Sequence, residues 1–179
     1  MTRALLIKLH LYFSAFFAAA IVLVAVSGGL YLIGIKGSIE QTPVGTLATG
    51  QQLLHNPSEA TVRAALVDLG VADFEFEYVK QKGSQLITRP TTRAFYTLDI
   101  SGDKAVVHYN EPSLQKRMIE LHMGHGPTAY KTYQKVFAAA MLFIILTGLW
   151  LGLSSARLRF STAVISGAGV LLFFWLALS

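Results

Sequence analysis

VFAAAMLFIILTGLWLGL (residues 136–153) runs for eighteen residues without a formal charge, and FSTAVISGAGVLLFFWLALS (residues 160–179) runs for twenty. A helix needs roughly 20 apolar residues to cross a bilayer core of about 30 Å. Each stretch is near that length. A helix also bonds every backbone N–H and C=O within itself, as lipid requires. A third stretch, residues 9–35, carries one histidine, His10, and no formal charge. These stretches predict three transmembrane helices, with the intervening chain held outside the bilayer.

The composition agrees with that division. Of 179 residues, 53% are hydrophobic and 14% charged, and the mean hydropathy is +0.50. That is too apolar for an ordinary soluble domain. All ten Asp and Glu residues lie between Glu40 and Glu120, which marks out the water-facing part. Arg3 and Lys8 precede the first helix, and Arg157 and Arg159 sit between the second and third. Short-loop basic residues face the cytoplasm. The N-terminus is therefore predicted inside and residues 36–130 outside, periplasmic in a bacterial inner membrane. Lys131 and Lys135 run against this rule and are expected to snorkel to head groups. The first apolar run exceeds the roughly 7–15 residues of a signal-peptide core and has no A-x-A-like cleavage site, so it reads as an anchor. The pI of about 9.6 reflects these flanking charges and implies no nucleic-acid partner. With no Cys, neither disulfide nor thiolate chemistry is available.

Between the helices the patterns change. Residues 37–50, rich in Gly, Thr and Pro, read as a linker. Asn56-Pro57-Ser58-Glu59 predicts a helix start with Asn56 as cap. Val62, Ala65, Leu66 and Leu69 then recur at helical spacing up to Gly70. Phe74, Phe76 and Tyr78 alternate with Glu75 and Glu77, predicting a strand with an aromatic and an acidic face. Short strands follow at 85–89, 94–100 and 104–109, separated by Pro90 and by Ser101-Gly102-Asp103. One helix and an antiparallel meander make a small α+β insert. Leu114, Met118 and Leu121 then stripe an amphipathic helix expected at the outer membrane surface. It ends in LHMGHGP (residues 121–127). The predicted domains are thus a first helix in 1–35, an insert in 36–112, an interfacial segment in 113–130 and two helices in 131–179.

An internal echo runs through the helices. Phe17-Ala18-Ala19-Ala20 and Ser27-Gly28 reappear ten residues apart as Phe137-Ala138-Ala139-Ala140 and Thr147-Gly148. Leu9-His10 and Leu121-His122 also correspond, at unmatched offsets. Two helices crossing in opposite directions would make this an inverted pair. Membrane helices also reuse Ala, Gly and Phe without ancestry.

In these residues the chain resembles the PepSY-associated transmembrane family. Leu9-His10 opens the first helix and Ser27-Gly28 closes it. Leu121-His122 precedes the second, which ends in Thr147-Gly148-Leu149-Trp150. The helix–meander insert looks like a PepSY domain, and the resemblance covers residues 9–153. It implies one of two roles. PepSY domains modulate peptidases or other envelope proteins, and some larger members are haem-bearing inner-membrane reductases of iron–siderophore substrates. Three predicted helices are fewer than those reductases have. The chain therefore reads as a non-catalytic accessory subunit that docks its PepSY-like domain onto a membrane complex. The alternative is a haem b electron-transfer subunit.

His10, His122 and His125 are the candidate haem or metal ligands. His10 lies at the inner end of the first helix, and the other two lie at the outer end of the second, about a bilayer core apart. One haem cannot bridge that span. Three residues apart, His122 and His125 are expected on one helical face. Glu120 is nearby but off the face of His122, so neither histidine has an obvious acceptor for its second nitrogen. They read first as interfacial residues bonded to backbone or head groups. His55 and His108 read as surface residues, and Glu75 and Glu77 as a solvated pair. There is no H-E-x-x-H and no phosphate-binding glycine loop. Gly148 and Gly152 form a G-x-x-x-G. With Ala163 and Gly167 of the third helix they offer small surfaces for close helix packing, within the chain, in a homo-oligomer or with partner subunits. A reporter fused after Ser179 should be active only when exported. Cytoplasmic activity there would invert the expected topology.

Overall fold

The computed structural model describes residues 2–179. In chain order the elements are α1 (Arg3–Phe16), α2 (Ala18–Leu32), β1 (Ile39–Leu47), α3 (Gly50–His55), α4 (Glu59–Asp68), β2 (Tyr78–Lys82), β3 (Gln85–Arg89), β4 (Phe95–Ser101), β5 (Lys104–Pro112), α5 (Leu114–His122), α6 (Thr128–Leu153) and α7 (Arg159–Leu178). They fall into two compact units. One is Val22–Gln134, and the other joins the described residues up to Ile21 with Lys135–Ser179.

The Val22–Gln134 unit holds an antiparallel sheet of five strands in the order β1-β5-β4-β3-β2. Registers Tyr96↔Tyr109, Leu98↔Val107 and Ile100↔Ala105 put these side chains on one face. Leu53 of α3 and Val62, Ala65 and Leu66 of α4 pack onto that face, where Val62, Leu86, Leu98 and Val107 have no measurable exposure. Burying one such side chain is worth roughly 1.5–3 kcal/mol. The opposite face is polar. Gln85 donates to Asp99 at 2.6 Å, and Asn110 donates to Thr97 at 3.1 Å.

Three local expectations change. The linker expected at 37–50 contains β1, which pairs with β5 from Ile39↔Pro112 to Leu47↔Ala105. Pro43 hid it, since proline reads as a strand breaker. A proline is nonetheless compatible with an edge strand, and the register here slips between Pro43 and Gly45. The strand expected at Phe74 begins only at Tyr78. Phe74 and Phe76 precede it as irregular chain and reach the core. Phe74 meets Tyr96 edge-on at 4.6 Å, and Arg63 covers Phe76 at 4.8 Å. The α4 cap is Ser58, in a reciprocal capping box with Thr61. Asn56 instead closes α3.

α6 and α7 are each long and apolar enough to cross a membrane. The first apolar stretch is broken. α1 and α2 meet that test only as a pair, bent by 56° at Phe17. There is no proline to blame. The Ser14 hydroxyl donates to the His10 carbonyl at 2.8 Å, competing with the helical ladder one turn before the break. Phe17 itself is buried, 5.8 Å from the Phe137 ring, with Phe13 against Phe143 at 4.9 Å. None of the residues of α7 is buried.

Residues 38–113, which span β1 to β5, should give a dispersed amide NMR spectrum when expressed alone. Residues 48–113, lacking β1, should give a collapsed one, because β5 loses its outer partner along its length. Dispersion in both would make β1 dispensable.

Candidate functional site

Each predicted ligand histidine has a specific neighbour. In the unit containing α1, His10 Nδ1 lies 3.0 Å from the Thr147 hydroxyl. That hydroxyl already donates to the Phe143 carbonyl at 2.7 Å. Its lone pair therefore accepts from the imidazole, and His10 carries its hydrogen on Nδ1. The next residue, Gly148, faces the same ring, and a Cβ built there would stand 3.3 Å from His10 Cε1.

The Val22–Gln134 unit repeats this contact with different residues. His122 Nδ1 lies 2.9 Å from the Ser27 hydroxyl, which donates to the Val24 carbonyl at 3.3 Å. A Cβ on Gly28 would stand 3.5 Å from His122 Cε1. Each Leu-His motif thus meets the Ser/Thr-Gly dipeptide of the other half of the echo. Phe17 and Phe137, which open the echoed Phe-Ala-Ala-Ala runs, meet each other. A cleft of about 450 Å³, lined by Tyr31, Ile119, His122 and Met123, opens beside the Ser27–His122 pair.

His122 and His125 do not share a helical face. α5 ends at His122, and Gly124 takes φ +76° to turn the chain away. His125 returns to Glu120, and its Nδ1 donates to the carboxylate at 2.7 Å. The expectation that these histidines lack a carboxylate acceptor fails for His125, because the turn folds back. Glu120 is buried and serves four side chains. Lys116 stands at 3.0 Å and Arg89 at 3.6 Å. Thr91 donates its hydroxyl to the carboxylate and accepts from Arg89 Nη1 at 2.7 Å. The backbone adds Thr91 N–H to His125 C=O at 3.2 Å. Burial opposes the carboxylate charge. Hydrogen bonds from Thr91, Lys116 and His125 outweigh it and hold the carboxyl below its ordinary value. Helical spacing finds Lys116 as the i−4 partner of Glu120. Nothing in local sequence announces Arg89 or Thr91, about thirty residues upstream.

Glu77, expected to be solvated, has a role as well. Its carboxylate accepts from the Thr128 backbone N–H and hydroxyl, both at 2.7 Å, and so caps the start of α6. These bonds, the hydroxyl first, lower its pKa. Lys131, expected at head groups, bonds the Tyr78 hydroxyl and lies 4.2 Å from that ring's centre. His55 is exposed and bonds the Gln51 carbonyl at 2.9 Å. His108, expected at the surface, is half-buried beside Asp99 at 3.8 Å.

The small residues divide. Gly148 makes room for His10, and a Cβ on Gly152 would stand 2.6 Å from Thr162 Oγ1 of α7. Both therefore serve packing within the chain. Gly167 has nothing nearby, and Ala163 is exposed. Among the described residues no three His, Cys, Asp or Glu side chains gather as a metal site. No family model, curated protein or solved structure matches the chain.

Replacing Glu120 by Gln leaves Arg89 buried without its counter-charge. It should cost about 3 kcal/mol of unfolding free energy at neutral pH, read by denaturant titration of the detergent-solubilised chain. Because folding lowers this pKa, the carboxylate's contribution is complete above the ordinary 4.5 of a glutamate and fades as pH falls through the lower folded value. The gap between wild type and variant should therefore narrow in acid. A gap independent of pH would remove the carboxylate from the account.

Proposed function

We propose that the chain is a non-catalytic membrane accessory subunit of the PepSY-associated transmembrane type. In this reading α1 with α2, α6 and α7 span a bacterial inner membrane, and the sheet domain stands on its periplasmic side. The domain is presented to another envelope protein. The observation that carries the reading is how the candidate histidines are used. All three spend Nδ1–H on a neighbour within the chain, two of them beside a glycine that makes room for the ring. These are the contacts of packing residues. The apolar surface of α7 supports a bilayer setting, since a patch of that extent in water would drive association. The Arg3, Lys8, Arg157 and Arg159 cluster supports the orientation.

One observation favours a second reading, a haem b electron-transfer subunit. With Nδ1 occupied, each of His10, His122 and His125 keeps Nε2 without a hydrogen-bond partner among the described residues. Nε2 is the nitrogen an iron would take, and the carboxylate behind His125 would raise its basicity. Bound there, haem would supply one-electron transfer. Each of these contacts offers a single imidazole, so a bis-histidine site would take its second ligand from elsewhere.

An absorption spectrum of the purified full chain separates the two readings. The accessory reading expects no stoichiometric b-type haem, and no spectral change on replacing His122 and His125 together by Ala. A one-to-one haem band lost in that double variant would overturn it and install the second.

A further inference from the structure

One cleft of the unit containing α1 has no part in either reading. It has a volume of about 530 Å³ and is lined by Thr2, Arg3, Leu6, Trp150, Leu151 and Ser154. Its lining combines polar and apolar side chains. The Arg3 guanidinium, with the hydroxyl residues Thr2 and Ser154, makes the polar part. Leu6, Trp150 and Leu151 make the apolar part. We propose that this cleft binds the head group and upper acyl region of an anionic phospholipid.

Arg3 is held in place. Nη1 donates to the Ser154 hydroxyl at 3.1 Å and Nη2 to the Leu151 carbonyl at 3.2 Å. A guanidinium has five N–H donors, and the other three have no partner among the described residues. Neither bond neutralises the charge. Every Asp and Glu side chain of the protein belongs to the other unit, whereas this one carries Arg3, Lys8, Lys135, Arg157 and Arg159. Arg157 and Arg159 follow Ser154 at once, in a turn closed by Arg159 N–H to Ser155 C=O at 2.8 Å. The anion called for is therefore external.

The apolar wall selects the anion. Trp150 is 65% exposed, and an indole with an apolar body and one N–H settles where hydrocarbon meets head groups. Inorganic phosphate would leave that wall unused, whereas a phosphodiester on acyl chains uses both parts. Arg3 also caps the carbonyl end of α6. That role alone would require no open cleft and no exposed tryptophan beside it.

The proposal rests on the bilayer setting of the accessory reading, and its test separates the two. The full chain with Trp175→Phe leaves Trp150 as the one indole. It is reconstituted with acyl-brominated phosphatidylglycerol or acyl-brominated phosphatidylcholine, and the quenching of Trp150 is followed. The phosphatidylglycerol should quench at about fivefold lower mole fraction than the phosphatidylcholine, the effect of roughly one basic residue at the surface. Arg3→Gln should abolish that preference, and Arg3→Lys should keep much of it. Millimolar inorganic phosphate should leave it unchanged. Equal quenching by the two lipids overturns the proposal and leaves the membrane setting intact. So does a preference that survives in Arg3→Gln, which assigns it to Arg157 and Arg159 generally. Loss of the preference to inorganic phosphate makes the cleft an anion site without lipid. Quenching by neither lipid removes this end of the helices from the bilayer, and the accessory reading falls with it.

Discussion

The Glu120 carboxylate joins three pieces of chain at one point. Arg89 and Thr91 come from the end of β3, Lys116 from the start of α5, and His125 from the turn before α6. A buried, unpaired carboxylate would cost several kcal/mol. Here three basic side chains and one hydroxyl surround it, so each element is held at the position that satisfies the charge. Removing the carboxylate leaves Arg89 and Lys116 without their shared counter-charge in a half-dry setting. That asymmetry makes the joint specific. It also explains why the turn of residues 123–127 has a defined shape despite two glycines and a proline. The turn is fixed at His125, by its ring to Glu120 and by its carbonyl to the Thr91 amide. Just beyond it, Glu77 caps Thr128 and Tyr78 receives Lys131. The sheet domain thus supplies its own groups to the exposed N–H and ammonium donors at the start of α6.

The histidine–hydroxyl pairs follow a second rule. A serine or threonine in a helix commonly returns its proton to the carbonyl three or four residues earlier. Ser27 and Thr147 both do so, which leaves each as an acceptor for a ring N–H. The glycine that follows removes the side chain that would otherwise crowd the ring. Ser/Thr-Gly is thus a socket for an imidazole edge, used twice. The correspondence between Leu9-His10 and Leu121-His122 looked imperfect along the chain because the offsets differ. In space the pairing is reciprocal, each histidine answering the dipeptide of the other half.

Much of this was legible in the residues, and what was not had physical causes. The apolar runs of α6 and α7, the α4 helix with its stop at Gly70, and the alternation along β4 all rest on local periodicity. So does the α+β character of the insert. β1 escaped because its pairing with β5 is non-local and Pro43 and Gly45 mask its period. The break at Phe17 escaped because neither proline nor glycine marks it. Glu120 lies off the helical face of His122, and helical spacing gives no sign that it is the acceptor for His125. Once the helix stops at His122, spacing rules no longer govern His125. Glu77 is exposed, as alternation predicts, but alternation cannot show that its carboxylate also caps a helix about fifty residues on.

The G-x-x-x-G of α6 shows how a motif open to several uses is decided by what stands against it. Its two glycines are four residues apart and suit a close approach of helices. Yet each admits a particular side chain: the His10 ring at Gly148 and the Thr162 hydroxyl at Gly152. The first accommodates a hydrogen-bonded ring, and the second lets α7 turn back against α6. Neither is left to receive a helix from outside. Within hydrocarbon, apolar side chains gain nothing by leaving lipid for one another, so association depends on close packing and polar contacts. On α6 those contacts are already made by the chain itself. Glycines open to an outside helix stand instead at Gly29 of α2 and at Gly167 and Gly169 of α7.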